Sequence, residues 1–169
     1  GGSGNPAGVT GYGVFQAMRA CAQFVWGTDS LDGCSIAIQG FGNVARSLSG
    51  HLLEAGAELI VTDIVQERLE AARNLGKQIK IVSPEEILFT KADILAPCAL
   101  GAVVNQSIIP LLRCAVICGA ANNQLETDED AQRLGERGIV YGPDYVANAG
   151  GVINVSYELG REYNADAAM

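Results

Sequence analysis

The sequence predicts an α/β fold: a doubly wound, mostly parallel β-sheet with helices on both faces. Two observations support this. Short apolar runs of strand length alternate with segments of helical periodicity along most of the 169 residues. In addition, a glycine-rich turn, a helix and a second apolar run follow the first apolar run directly. No repeat, low-complexity tract or long linker interrupts the pattern, so we interpret residues 1–169 as one domain.

The elements follow in order along the chain. A glycine-rich segment, residues 1–8, leads into a predicted long helix at 9–26, where apolar residues recur at intervals of three and four. A polar loop at 28–33 precedes the first strand. Strands are predicted at 35–39, 58–62, 79–82, 93–96, 115–118 and 139–141, and further helices at 44–55, 66–75, 84–89, 128–137 and 149–159.

The turn after the first strand, residues 40–45, has the pattern G-x-G-x-x-A (GFGNVA). Gly40 permits a tight turn, Gly42 lets the backbone approach a pyrophosphate, and Ala45 allows close packing of the helix on the strand. The amino terminus of the helix then presents N–H groups and a positive dipole end to phosphates. The segment therefore predicts a Rossmann-type dinucleotide-binding site.

Asp63 ends the second predicted strand, about 20 residues after the turn, where a carboxylate can accept both hydroxyl protons of an adenosine ribose. It favours NAD over NADP because it would repel a 2′-phosphate. The residues that immediately follow, Ile64 and Val65, include no arginine. An alternative interpretation is that Asp63 caps the helix predicted at 66–75, and the two roles are compatible.

Composition argues against several other classes of function. The net charge of −8 argues against nucleic acid and anionic membranes as partners, and no apolar run reaches the ~20 residues that span a bilayer. The five scattered cysteines form no C-x-x-C pair, and His51 is the single histidine, so no metal site is expected. We interpret His51 as a surface or packing residue. Apolar-flanked cysteines in odd number are typical of a reducing cytoplasm.

Small residues and amides follow three of the later strands, at 96–101, 119–124 and 143–151. Ligands of open α/β sheets bind outside the carboxyl ends of the strands. These loops are therefore predicted to line a cofactor groove. The alternative is that their asparagines and glycines are only turn formers.

Five motifs in order resemble the cofactor-binding half of the dehydrogenases that act on glutamate, leucine, phenylalanine and valine, with the leucine branch the most similar. They cover nearly the whole chain. The motifs are residues 4–6 (GNP) with 9–14 (VTGYGV), 39–45 (QGFGNVA), 96–101 (APCALG), 121–124 (ANNQ) and 143–154 (PDYVANAGGVIN).

The resemblance implies a role for individual residues. Thr10 would hold the nicotinamide carboxamide, and Asp63 would bind the adenosine ribose. Asn148 would hydrogen-bond the substrate near its α-carbon, and Val152 and Val155 would form part of the substrate side-chain pocket. The pyrophosphate would be surrounded by Gly40, Phe41, Gly42, Asn43 and Val44, and the other residues along the cofactor would be Ile64, Cys98, Ala99, Ala121 and Asn123.

The two valines bear on the substrate. They are three residues apart on a predicted helix and so share a face. The glutamate branch has a hydroxyl residue at the position of Val155, and a valine cannot hydrogen-bond a substrate carboxylate, whose burial without a partner is costly. An apolar amino acid, branched-chain or aromatic, is therefore the expected substrate. The alternative is that Val152 and Val155 are ordinary core residues.

The catalytic groups of the family are not found in this sequence. In the family, the catalytic lysines and the acid–base aspartate belong to a separate substrate domain that precedes this region. The lysines of this sequence, Lys77, Lys80 and Lys91, fall in the adenine-side half of the predicted sheet. We therefore expect the chain to be the NAD-binding domain of a cytoplasmic, homo-oligomeric oxidoreductase that deaminates an apolar L-amino acid to the 2-oxo acid and ammonia. The alternatives are a non-catalytic dinucleotide-binding or regulatory module and a 2-hydroxy-acid dehydrogenase. The latter usually needs a histidine near the nicotinamide, and His51 lies in the wrong segment.

Overall fold

The computed structural model describes residues 6–76 and 79–147. Within them, six parallel strands form one sheet in the order β3-β2-β1-β4-β5-β6. This is the strand order of a Rossmann-type doubly wound sheet, and it confirms the predicted fold class. The strands are β1 Ser35–Gln39, β2 Glu58–Thr62, β3 Ile79–Ile81, β4 Ile94–Pro97, β5 Val116–Ile117 and β6 Val140–Tyr141.

Helices and short 3-10 turns connect the strands. The helices are α1 Ala7–Trp26, α2 Asn43–Glu54, α3 Gln66–Leu75, α4 Glu129–Glu136 and α5 Asp144–Ala147. The predicted helix at 84–89 is wrong: only Ile87–Phe89 form a 3-10 turn, because the backbone of Thr90 is already extended. A second 3-10 turn, Ile109–Leu111, and helix α5 were not predicted. The helix predicted at 149–159 lies outside the described residues.

Alternate residues of the central strands pack on opposite faces of the sheet, as period-2 side-chain alternation requires. Ile36 and Ile38 of β1 belong to one apolar cluster, whereas Ala37 belongs to the other. Helices α1, α2, α3 and α5 cover the first face, and the two 3-10 turns with α4 cover the second. The parallel sheet is therefore buried on both sides.

Helices α1 and α2 cross in backbone contact at Gly11. A Cβ atom added to Gly11 would lie 2.8 Å from Oγ of Ser47 and 2.9 Å from the backbone N of Leu48. Any side chain at position 11 would therefore push the two helices apart. This contact fixes α1 against the helix that follows the glycine-rich turn.

The strand order reverses between β1 and β4. The chain leaves β1 through α2 to reach β2 on one side, while β4 pairs with the other edge of β1. In open α/β sheets this reversal leaves a crevice at the carboxyl ends of the two strands, which is the usual place of a ligand. The glycine-rich turn after β1 and the loop after β4 lie at this crevice.

Candidate dinucleotide-binding site

Gly40 places the glycine-rich turn against the loop after β4. Its φ is +91°, and a Cβ atom at this position would lie 2.5 Å from Cβ of Ala99. Both the left-handed backbone and the close approach require glycine. The N–H of Gly40 also donates to the carbonyl oxygen of Thr62 at 2.9 Å, which ties the turn to the end of β2.

Gly42 precedes the amino terminus of α2 and faces open space. Its backbone is extended, and nothing lies within 4 Å of the position a Cβ would take. The first turn of α2 contains no acidic residue, so no carboxylate of the helix itself offsets its N–H groups and positive dipole end. The end of this 12-residue helix is suited to a phosphate or pyrophosphate.

Asp63 is held in place from two sides. Its Oδ2 accepts a hydrogen bond of 2.6 Å from the N–H of Phe41, and its Oδ1 accepts one of 2.8 Å from the N–H of Val65. Burial acts to raise the pKa of Asp63, but these two N–H groups and Arg68 outweigh it and lower the pKa below its usual range. The carboxylate is therefore ionised at neutral pH.

Asp63 does not cap α3, so the capping interpretation is wrong. Val65 is the residue at the N-cap position, and the helix has no side-chain cap. Asp63 instead bonds the N–H two residues ahead, an Asx-type turn that shapes the entry to the helix. Its second oxygen is engaged with the glycine-rich turn.

No arginine immediately follows Asp63 in the sequence, but Arg68 lies close to it in the structure. It lies within the first turn of α3 and reaches back, so that its Nη1 is 3.4 Å from Oδ2 of Asp63. The start of α3 at Gln66 agrees with the prediction, but the contact five residues from Asp63 also depends on the turn that leads into the helix. The Arg68 side chain is 52% exposed, whereas the Asp63 side chain is 3% exposed.

A cleft of about 340 Å³ opens at this edge of the sheet, beside Asp63 and Arg68. Two of its apolar lining residues are unusually exposed, Ile64 at 89% and Leu100 at 75%. Exposed aliphatic side chains on the wall of a cleft provide an apolar surface against which a flat ring can pack. The other lining residues are Gln39, Gly40, Thr62, Pro84, Ala99 and Val103.

The cleft also has unmet hydrogen-bonding capacity. Oε1 of Gln39 and Oγ1 of Thr62 are buried and without a hydrogen-bond partner within the described part of the chain, and both residues line the cleft. A buried polar atom without a partner costs about 1–3 kcal/mol. The fold therefore carries this cost at the edge of the sheet where the cleft opens.

The residues described so far match a known family. The model of the glutamate/leucine/phenylalanine/valine dehydrogenases matches residues 1–65 and 58–166. The chain belongs to this family. Within the family, leucine dehydrogenase from Bacillus subtilis (strain 168) is 52% identical over 170 residues, which cover 100% of this chain and 46% of that protein.

Solved structures of related dehydrogenases have the same fold. L-tryptophan dehydrogenase from Nostoc punctiforme superposes with a TM-score of 0.93 at 43% identity, over 98% of this chain and 50% of that one. Hetero-hexameric glutamate dehydrogenase from Thermus thermophilus gives a TM-score of 0.69 at 22% identity, over 90% of this chain and 39% of that one, and is similar in fold alone. The chain spans about half the length of the curated relatives it matches.

Two further loops of this family member meet beside the crevice. The N–H of Cys98 donates to the carbonyl oxygen of Gln39 at 2.8 Å, and the N–H of Ala121 donates to that of Pro97 at 2.9 Å. Asn123 is exposed with a φ of +51°, and its N–H donates to the carboxylate of Asp144. The turn-forming interpretation therefore holds at Asn123, which does not prevent its side chain from contacting a ligand.

Gln124 has a structural role that the sequence did not reveal. It is fully buried, and its Nε2 donates to the carbonyl oxygens of Gly119 and Ala121 at 2.9 and 3.0 Å. The side chain supports the loop after β5 from below. The two hydrogen bonds that Nε2 donates explain why an amide occupies this buried position.

Some of the remaining predicted site residues do not line the cleft, and others lie outside the described residues. Thr10 is buried in α1 and does not line the cleft beside Asp63. Asn43 and Val44 form the first turn of α2 as predicted, with Asn43 exposed and Val44 half-buried. The substrate residues Asn148, Val152 and Val155 lie outside the described residues.

The described residues show no metal-binding cluster and no activated thiol beside the crevice. Residues 6–76 and 79–147 contain no group of three or more His, Cys, Asp or Glu that could hold a metal ion. Burial raises the pKa of the Cys98 thiol to about 11, so it is neutral at physiological pH and a poor nucleophile. Across the same described stretch, no helix combines the length and apolar character needed to cross a membrane.

Proposed function

We propose that this chain is the NAD-binding domain, residues 1–169, of an amino-acid dehydrogenase. The whole protein would oxidise an apolar L-amino acid reversibly to the 2-oxo acid and ammonia. One observation carries the proposal: an ionised, immobilised Asp63 lies against the glycine-rich turn at the point where the strand order reverses. Family membership and the similarity to leucine dehydrogenase support it.

The residues around the crevice fit the parts of a dinucleotide. Asp63 would accept the two hydroxyl protons of the adenosine ribose, and the adenine ring would lie between the exposed side chains of Ile64 and Leu100. Gly42 and the first turn of α2 would receive the pyrophosphate.

The chain would bind and orient the cofactor without acting on the substrate's protons. When bound, NAD supplies the hydride acceptor. Proton transfer needs an acid or base with a suitable pKa within reach of the reacting atoms. The two lysines of the described part are exposed: Lys80 lies in β3, at the edge of the sheet, and Lys91 lies in the segment before β4. Lys77 lies outside the described residues. The catalytic groups would therefore come from another part of a homo-oligomeric, cytoplasmic protein.

The substrate is proposed to be an apolar amino acid. Relatives named leucine, phenylalanine and L-tryptophan dehydrogenase support an apolar side chain, with identities of 52%, 44% and 44%. Val152 and Val155 would supply an apolar wall, and Asn148 would hold the substrate near its α-carbon. Thr10 would hold the nicotinamide carboxamide.

A panel of amino acids assayed with NAD and the whole protein tests this proposal. NADH formation, followed by absorbance, is expected with leucine-like or aromatic substrates and not with glutamate. The 169-residue chain alone is expected to produce no NADH. Dinucleotide binding without NADH formation from any amino acid would favour the non-catalytic module instead. Preferential turnover of glutamate would contradict the apolar substrate.

A further inference from the structure

We infer that Arg68 is a second cofactor-specificity residue, which binds the 2′-phosphate of NADP and limits the preference for NAD that Asp63 imposes. The inference rests on the proposed function, because it concerns the same adenosine-ribose site. It predicts a protein that prefers NAD but also binds NADP measurably.

Asp63 by itself would exclude a 2′-phosphate strongly. The hydrogen bonds from Phe41 and Val65 fix both of its oxygens, so the carboxylate cannot turn away from an approaching anion. A phosphate monoester carries about −1.5 to −2 charges at pH 7. Beside a buried carboxylate, this charge would be repelled at a short distance and with little screening.

Arg68 stands where it can offset that repulsion. Its contact with Asp63 is long, 3.4 Å, and engages a single nitrogen of a guanidinium that carries several N–H donors. The side chain is 52% exposed, so it can shift towards a ligand without leaving a buried position. Arginine also matches phosphate oxygens with two parallel hydrogen bonds.

Arg68 lies between the two hollows that would receive the ribose and the pyrophosphate. It lines the 340 Å³ cleft together with Asp63, and it also lines a neighbouring hollow of about 200 Å³ together with Gly42 and Arg46. Glu67 borders the same hollow. Within the cleft, the charge of Arg68 pairs with that of Asp63, so a 2′-phosphate would meet an ion pair rather than a lone carboxylate.

Calorimetric titration of the chain with NAD and with NADP tests the inference, using the wild type and three variants. Arg68→Ala should weaken NADP binding about tenfold, the loss expected for a charge-assisted phosphate contact, and change NAD binding less than about threefold. Arg68→Lys keeps the positive charge but not the paired N–H donors of the guanidinium, so its affinity for NADP should lie between those of the wild type and Arg68→Ala. Arg73→Ala, at the exposed last turn of the same helix, is the matched control and should leave both affinities unchanged.

The possible results distinguish failure of the inference from failure of the proposed function. If Arg68→Ala lowers both affinities equally, Arg68 only positions Asp63 and the inference is wrong. Two further results of Arg68→Ala also overturn the inference: no change in either affinity, and a ratio of dissociation constants that shifts in favour of NADP. If the folded wild-type chain binds neither NAD nor NADP, the proposed function fails and the inference with it.

Discussion

The N–H of Phe41 donates a hydrogen bond of 2.6 Å to Oδ2 of Asp63. These residues are 22 positions apart and belong to different strand ends, the turn after β1 and the end of β2. The bond joins the segment that would face a pyrophosphate to the carboxylate that would face a ribose. The two halves of the proposed site are therefore set relative to each other by the backbone.

Replacement of Asp63 should lower both stability and cofactor discrimination. Asp63→Ala leaves the buried N–H of Phe41 without its partner, which costs about 1–3 kcal/mol of unfolding free energy. It also removes the carboxylate that repels a 2′-phosphate, so the ratio of the NADP to the NAD dissociation constant should fall. Urea unfolding and titration calorimetry measure the two effects. Undiminished discrimination between the cofactors would show that Asp63 is not the determinant.

The lowered pKa of Asp63 predicts a pH dependence of stability. A carboxyl group whose pKa is lower in the folded than in the unfolded state stabilises the fold above the unfolded value of ~3.9. This contribution is lost as the pH falls through the lowered folded-state pKa. Asp63→Asn, a neutral replacement of the same shape, should therefore be less stable than wild type at pH 7, with the gap narrowing below about pH 4. Urea unfolding at a series of pH values measures the gap, and a constant gap would contradict the assignment.

The two glycines of the turn should separate structure from binding. In Gly40→Ala, the new Cβ would clash with Cβ of Ala99, and the backbone φ of +91° is strained for alanine. The substitution should therefore destabilise the fold by about 1–3 kcal/mol. Gly42→Ala adds a methyl group in open space and should leave the melting temperature nearly unchanged. The same methyl group would obstruct the approach of the pyrophosphate, so NAD affinity should fall at least about tenfold. If Gly42→Ala binds NAD normally, the phosphate does not lie at this turn.

The crossing of α1 and α2 provides a test of packing away from the cleft. Gly11→Ala should destabilise the protein by about 1–3 kcal/mol, because its Cβ would lie 2.8 Å from Oγ of Ser47. Gly8→Ala, in the same helix, meets nothing within 4 Å and should be neutral or stabilising by up to about 1 kcal/mol. Thermal unfolding compares the pair. Equal stabilities of the two variants would show that the helices can move apart at little cost.

The sequence predicted the central part of the fold because its signals there are local. The bounds of β1, β2 and α3 agree with the prediction, since an apolar run or a helical period defines each of them. The segment at 84–89 failed because its apolar residues, 87–89, are consecutive and so carry little helical periodicity, and Thr90 is already extended. Helix α5, at Asp144–Ala147, is too short for a periodicity to be read.

The site was predictable in its motifs but not in its long-range contacts. The positions of Gly40 and Asp63 follow from the G-x-G-x-x-A pattern and its spacing, whereas their connection through the N–H of Phe41 depends on strand pairing. Arg68 was missed although α3 was predicted with its correct start, because the contact depends on how the chain turns between Asp63 and the helix and on the Arg68 side chain reaching back. Gln124 supports the loop after β5 from a buried position, and the burial of an amide within a polar segment cannot be predicted from the sequence.

Titration of NAD into the purified 169-residue chain tests the central claim most directly, namely that the turn at residues 40–45 and Asp63 form one dinucleotide site. The account predicts saturable binding with one NAD per chain. Gly42→Ala, which should keep the fold, is expected to bind at least about tenfold more weakly. Cooperative unfolding of the chain would first establish that it is folded. If this folded chain then releases no binding heat and gains no thermal stability at saturating NAD, the central claim is wrong.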